Sequence, residues 1–345
     1  NSHHEVRYLV SQVSENLTHI LVYNPSFERG GIYGDGSGVY GDNQLRYALL
    51  SRAATDVSRF VFIDAEAVGD FDVIHAHDWQ GALAPVYLNA LHKPMGLSPA
   101  TRTVLTVHNA AHQGIFDPQS LGMLDLSERH LHTLLFNGGL NTLKGGLVSA
   151  DAITTVSPSY ARELQTASGG FGLDPIVAGR SLLGQMHGIL NGVDTATWNP
   201  AADNRLPAQY DADDLAGKAE CKRSLQQELG LPQRADVPMI GVVSRLDWQK
   251  GIDVFMAASP MIMNADVQFV ALGTGDSTLE DGLRSLRYIY PDKARAVLRF
   301  DERIAARIYA AADIFIVPSL FEPCGLTQMY AMRYGAIPVV RATGG

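Results

Sequence analysis

One carboxylate, two cations and two histidines stand where alternating strands and helices would present them to a ligand. Glu322 lies in Leu320-Phe321-Glu322-Pro323-Cys324, between an apolar run at 313–319 and a helical pattern at 325–334. A loop after a parallel strand is where open α/β sheets bind ligands. The free N–H groups and dipole of the helix start that follows attract phosphate. This unit could therefore offer a carboxylate to hydroxyls and a cradle to phosphate. Arg245 and Lys250 share the loop Ser244-Arg-Leu-Asp-Trp-Gln-Lys-Gly251 after a strand at 239–244. Arginine supplies a planar fork for phosphate oxygens and lysine a point charge. Together they would balance charge growing on a nucleotide leaving group. His77, in His77-Asp78-Trp79, and His108, before Asn109, end two further strands at 72–77 and 103–108. Each group alone also fits a plain role: a tight turn, surface cations, or capping of strand-end carbonyls.

The positioning elements follow from periodicity. Strands are predicted at 19–24, 72–77, 103–108 and 151–157, and 187–194 reads as a short apolar strand followed by a polar turn. One helix opens at Asp42-Asn43 and runs through Leu45, Leu49 and Leu50, the helix after 72–77 carries Leu83, Val86, Tyr87 and Leu91, and another spans 140–150. Asp42 or Asn43 suits the first helix N-cap. Ser157 and Pro158 suit the cap and first position of the helix after 151–157. The loop 25–43 has no periodic pattern, a mark of a functional or mobile segment. The stretch 168–172 is too glycine-rich for regular structure. A second series follows: helix 218–229, strand 239–244, helix 250–263, strand 267–273, helix 277–290, strand 296–300, helix 302–311, strand 313–319, helix 325–334 and strand 336–340. Gly273-Thr274-Gly275-Asp276 is an incomplete dinucleotide fingerprint on the same rim. Alternation of this kind predicts parallel, doubly wound sheets. The expected division is a domain at 1–191, a crossing at 192–215 rich in Asp, Asn and Pro, and a domain at 216–345.

Composition excludes several classes. The chain has 345 residues, enough for two domains, a net charge of −9 and no basic block, which argues against nucleic acid. No segment is apolar enough to span a bilayer as a helix. Cys221 and Cys324 form no metal pattern and point to a reducing compartment. A zinc site built from His75, His77, His108 and His112 lacks supporting cysteine or carboxylate spacing. His75 and His77 share a strand face, with His77 nearer the rim. Starting at Asn1 and stopping after Thr343-Gly-Gly, the chain is expected to be an internal piece of a longer protein.

F-E-P-C-G-L-T-Q, with Y-G-x-x-P-V-V-R and T-G-G, resembles the bacterial glycogen synthases and plant starch synthases. H-A-H-D-W, T-V-H-N, T-V-S-P-S-Y-A, G-I-L-N-G-V-D and S-R-L-x-x-Q-K-G occur in the family's order. H-A-H-D-W is closer to the bacterial branch. The resemblance implies an α/β protein of two facing Rossmann-like domains, the GT-B arrangement. It implies transfer of glucose from ADP-glucose to the non-reducing end of an α-1,4-glucan, glycogen or starch primer. Configuration is retained, and no metal, pyridoxal phosphate, nucleic acid or membrane is involved; the setting is the bacterial cytoplasm. By the same resemblance Arg245 and Lys250 bind the donor diphosphate. Glu322 holds the sugar and stabilises its positive charge, and the backbone of Cys324, Gly325, Leu326 and Thr327 caps the distal phosphate. His108 lies beside the transferred glucose, Asp78 faces the acceptor, and Asn191 lines the cleft.

Two family features are missing: an opening lysine-glycine-glycine loop and the later C-terminal helices. Residues 1–345 are therefore expected to fold in part and to be inactive alone. Tyr330 stands where the wider group of retaining enzymes has a second glutamate. A single carboxylate fits no two-carboxylate glycosidase, so departure of ADP with same-face attack is the expected route. Competing readings are a pyridoxal-phosphate-dependent phosphorolytic enzyme and a non-catalytic carbohydrate-binding module.

Overall fold

Short apolar runs separated by helical stretches assemble into two parallel sheets. The computed structural model describes residues 4–35, 38–63 and 66–345; Asn1 and positions 36 and 37 of the loop 25–43 lie outside them. The chain divides into two units, Asn1–Ile189 and Leu190–Gly345. No helix among the described residues is long and apolar enough to cross a membrane.

The first unit opens with a hairpin, β1 (Arg7–Ser14) and β2 (Leu17–Tyr23), paired antiparallel. The strand expected at 19–24 is thus half of a ribbon joined by a turn at Glu15-Asn16, not a member of the parallel sheet. Helix α1 (Asn43–Phe60) follows. Asp42 precedes it without a side-chain cap bond, because its carboxylate grips Arg29 at 2.7 and 2.5 Å. The described residues of the loop 25–43 form defined contacts. They hold a turn at Pro25–Phe27 and are tied down where Arg46 Nη1 and the Tyr47 hydroxyl donate to the Ile32 carbonyl. The parallel sheet contains β3 (Val73–His77), β4 (Arg102–Val107), β5 (Ala152–Thr155) and β6 (Met186–Gly188), side by side in that order. Between β4 and β5 the expected helix at 140–150 is shorter. Gly139–Asn141 pairs with Ile115–Phe116, and α2 (Thr142–Ser149) starts where the Asn141 side chain accepts from the Lys144 N–H. After β5, α3 (Pro158–Glu163) is capped by Ser157, as the sequence predicts. The glycine-rich stretch forms one helical turn, Ala167–Gly170, because Thr166 caps the Gly169 N–H. Helix α4 (Asp174–Leu182) leads to β6.

The second unit runs α5 (Ala216–Leu229), β7 (Met239–Val243), α6 (Ile252–Asn264), β8 (Gln268–Leu272), α7 (Ser277–Ile289), β9 (Ala294–Val297), α8 (Glu302–Ala311), β10 (Ile314–Val317), α9 (Leu326–Arg333) and β11 (Ile337–Val340). Strand order is β9-β8-β7-β10-β11, all parallel. Along β8, Phe269 and Ala271 pack on one core with Ile252, Phe255 and Leu283. Val270 and Leu272 pack on the other with Leu225, Ile304 and Ile308. That period of two, buried on both faces, makes the sheet doubly wound. Strand β9 starts two residues and ends three residues earlier than expected, and leaves Phe300 exposed.

The stretch 192–215 belongs to this second unit instead of bridging freely. Trp198 stacks on Tyr330 at 4.1 Å and meets Tyr309 edge-on. Arg205 lies 4.6 Å over the Trp198 ring and pairs with Asp203 at 2.8 Å, which also accepts from the Tyr334 hydroxyl at 2.6 Å. Its many polar residues are spent on turns and on this cluster, which composition alone cannot distinguish from a linker.

Candidate active site

In the second unit the strand order reverses between β7 and β10, and ligands in open α/β sheets sit at such a reversal. The loops leaving these two strands carry Arg245 and Lys250, and Glu322. Lys250 ends a single turn, Trp248–Lys250, whose cap Asp247 accepts from the Lys250 N–H. Gly251 follows at φ +63°, and a Cβ there would stand 2.1 Å from the Pro318 carbonyl oxygen. Only glycine lets the two loops approach this closely. Gln249, buried, clamps them from beneath: its main-chain carbonyl accepts from Leu320 N–H at 2.8 Å and its amide donates to the Phe321 carbonyl at 3.2 Å.

The approach brings Lys250 Nζ to 2.7 Å from Glu322 Oε2, which also accepts from the Ser319 hydroxyl at 2.8 Å. Both charged side chains are mostly buried, at 18% and 13% exposure. They border a recess of about 200 Å³ that Ser244, Arg245, Ser319 and Thr327 also line. Arg245 is more exposed and pairs with Asp247 at 3.0 Å. A wider groove of about 680 Å³ continues past Arg245 and Trp248 to Thr274, Gly275 and Asp276. The Gly-Thr-Gly-Asp loop is therefore on the same rim, tied to it by the Leu246 N–H donating to the Thr274 carbonyl.

The residues expected from the sequence to cradle phosphate lie at the start of α9: Cys324 and Gly325 precede it, and Leu326 and Thr327 open it. Gly325 is left-handed at φ +80°, and a Cβ on it would collide with the Gln328 amide, whose nitrogen donates to the Cys324 carbonyl at 3.1 Å. The first-turn amides of a helix have no intrahelical partner. Asn191 hydrogen-bonds the Cys324 thiol, which burial nonetheless pushes up. Gly344 closes behind the carboxylate loop, for a Cβ there would meet the Glu322 carbonyl. Tyr330 is committed to its stack with Trp198.

In the first unit β3 and β4 are neighbours, with His77 opposite Thr106. Asp78 turns the chain at φ +49°, a conformation aspartate tolerates better than most residues. Its Oδ1 then accepts from the main-chain N–H of His108 at 2.7 Å and of Asn109 at 3.3 Å. The Ala110 N–H donates to the buried Tyr160 hydroxyl at 3.0 Å. His77 Nδ1 lies 2.9 Å from His108 Nε2. His77 is solvent-exposed at one side; its partial desolvation first, then His75 and His108, lower its pKa, and Asp78 opposes them. Among the described residues no group of three or more His, Cys, Asp or Glu is arranged to hold a metal ion.

The residues singled out in the sequence thus form two clusters, one in each unit. Arg245, Lys250, Glu322, Thr327 and the Cys324–Asn191 contact make up the first. Asp78 and His108 make up the second. Sequence reasoning missed Ser319, Gln249 and Gly251 as supports. The spacing Ser319-x-x-Glu322, the one-turn separation of a capping pair, was the available signal for the first.

The starch synthase catalytic domain model matches residues 2–179, and that of glycosyl transferases group 1 matches residues 237–345. Starch synthase 1, chloroplastic/amyloplastic, from Triticum aestivum is 43% identical over 99% of this chain and 55% of its own length. Glycogen synthase from Myxococcus xanthus is 44% identical over 98% of this chain and 70% of its own. The chain spans about half the length of the plant relatives it matches. The catalytic domain of starch synthase IV from Arabidopsis thaliana, bound to ADP and acarbose, superimposes with a TM-score of 0.86 at 36% identity, covering 99% of this chain and 69% of that one. Matches that run through both units, in sequence and in three dimensions, leave one assignment: the chain belongs to the starch synthase catalytic domain family of glycosyltransferases, with the GT-B fold.

Proposed function

We propose that the protein transfers glucose from ADP-glucose to the 4-hydroxyl at the non-reducing end of an α-1,4-glucan, with retention and without metal or pyridoxal phosphate. The observation that carries this reading is the Lys250–Glu322 pair at the reversal of strand order. One end of that pair suits a departing diphosphate and the other a sugar turning positive. A solved relative bound to ADP and acarbose supports it. In this reading Arg245 and Lys250 hold the diphosphate, and the main chain of Cys324, Gly325, Leu326 and Thr327 caps its distal phosphate. Glu322 steadies the sugar. His108 lies beside the transferred glucose, Asp78 holds the His108 loop on the acceptor side, and Asn191 fixes the turn at Cys324. Catalysis comes from positioning and from charge matched to the transition state.

The test is glucose incorporation into glycogen from ADP-glucose and from UDP-glucose. It is run with residues 1–345 and with a polypeptide extended by the flanking segments that the relatives carry. Transfer by the extended polypeptide with preference for ADP-glucose is expected. Equal turnover with both donors contradicts the donor assignment, and none with either contradicts the reaction.

A further inference from the structure

We infer that His77 is a positioning residue that fixes which ring nitrogen His108 presents, and hence its tautomer. The inference rests on the role proposed above for His108. His77 Nδ1 and His108 Nε2 are 2.9 Å apart, so one hydrogen lies between them. A neutral imidazole carries its proton on one nitrogen and accepts with the other. The direction of that single bond therefore sets the tautomer of both rings. It also occupies His108 Nε2 and leaves Nδ1 as the one ring nitrogen able to meet a sugar hydroxyl. The main-chain N–H of His108 is held by Asp78, so ring and backbone are fixed by consecutive residues, His77 and Asp78.

His77 is itself prevented from turning. The His75 ring stacks on it at 4.4 Å with 30° between planes. His75 Nε2 lies 2.6 Å from Thr106 Oγ1, which lies 2.6 Å from Thr154 Oγ1. This row of polar contacts crosses β5, β4 and β3 to His75, whose ring stacks on His77, and the hydrogen bond seen on the His77 ring goes to the His108 nitrogen. A histidine that merely capped its strand would bond a backbone carbonyl instead. The titratable groups facing His77 are His75, His108 and Asp78. Partial desolvation and the two imidazoles disfavour its cation, which keeps the pair from taking two charges.

The experiment reads ring tautomers in residues 1–345 by imidazole nitrogen NMR, for the native chain, His77→Phe and His77→Asn. Phenylalanine keeps a stacked ring without nitrogen, whereas asparagine places an amide group where Nδ1 stood. A single His108 tautomer in the native chain, a mixture in His77→Phe and a return to one tautomer in His77→Asn are expected. In the extended polypeptide, turnover should fall roughly 10- to 100-fold in His77→Phe, by analogy with the loss when the partner orienting a metal-binding histidine is removed. KM for ADP-glucose should stay unchanged, and asparagine should recover most of the turnover. An unchanged His108 tautomer in a folded His77→Phe chain overturns the inference. Absence of transfer by the native extended polypeptide overturns the proposed function instead, and the tautomer measurement still decides the role of His77.

Discussion

Lys250 and Glu322 neutralise each other at 2.7 Å, and this changes what each substitution should do. Lys250→Ala leaves a mostly buried carboxylate facing an incoming diphosphate. It should weaken ADP binding and cost about 2.7–4 kcal/mol of transition-state stabilisation, by analogy with the loss of one oxyanion-hole donor. Glu322→Gln keeps a group for the Ser319 hydroxyl and releases the lysine charge. ADP should bind as well as before or more tightly, while glucosyl transfer is lost. Residues in direct contact couple by about 0.5–3 kcal/mol. Transfer rates of the two single variants and the double variant should therefore be non-additive, and strict additivity would deny that the pair acts as a unit. His77 gives a second residue-scale prediction. Its folded pKa lies below the unfolded value of about 6.5. The unfolded chain therefore binds the proton first, and stability is full above that value and declines as pH falls through it. Melting of His77→Phe between about pH 7.5 and 5 should show a flatter decline than that of the native chain; parallel curves would remove His77 from the account.

At the scale of elements, the approach of the β7 and β10 loops depends on Gly251. A side chain there meets the Pro318 carbonyl and requires a left-handed residue, which costs about 1–2 kcal/mol before any clash. Gly251→Ala should lower the melting temperature and weaken ADP binding together, as isothermal titration can measure; intact binding would mean that the loops need not touch. The cluster on 192–215 has a pH signature of its own. Burial raises the Asp203 carboxyl, but the Arg205 fork, the Tyr334 hydroxyl and the Arg205 N–H outweigh it and hold the pKa below the ordinary range. That stability is present above the unfolded value of about 3.9 and is lost as pH falls through the folded one. Asp203→Asn should lower stability at neutral pH and flatten the acid limb of the melting curve. These elements also show what the sequence made legible. The strand-helix alternation of the second unit was readable because each strand is a short, doubly buried apolar run, and the rim residues follow those runs directly. The β1–β2 ribbon was not readable, since its pairing depends on a turn at Glu15-Asn16 rather than on burial. The packing of 192–215 was not readable either, because Trp198 and Asp203 find Tyr330 and Tyr334 more than 100 residues away, as the Asp203–Tyr334 bond at a separation of 131 shows.

For the whole molecule, the two clusters divide the proposed labour. The second unit carries every side chain assigned to the diphosphate: Arg245 and Lys250, with the start of α9 behind them. The first unit carries the groups assigned to the sugar and acceptor, His108 and Asp78. Donor binding and transfer should therefore separate under mutation. Changes at His108 or Asp78 should leave ADP affinity near that of the native chain and abolish transfer in the extended polypeptide; a large loss of ADP affinity would show that the first unit also holds the nucleotide. This rim in the second unit is proposed to bind the nucleotide diphosphate. The decisive experiment is titration of ADP into residues 1–345, beside the Lys250→Ala and Glu322→Gln variants. Binding by the native chain, at least tenfold weaker binding after Lys250→Ala, about 1.4 kcal/mol or more, and undiminished binding after Glu322→Gln are expected. Equal affinity in the native and Lys250→Ala chains, or loss of binding in Glu322→Gln with the fold intact, would contradict that proposal.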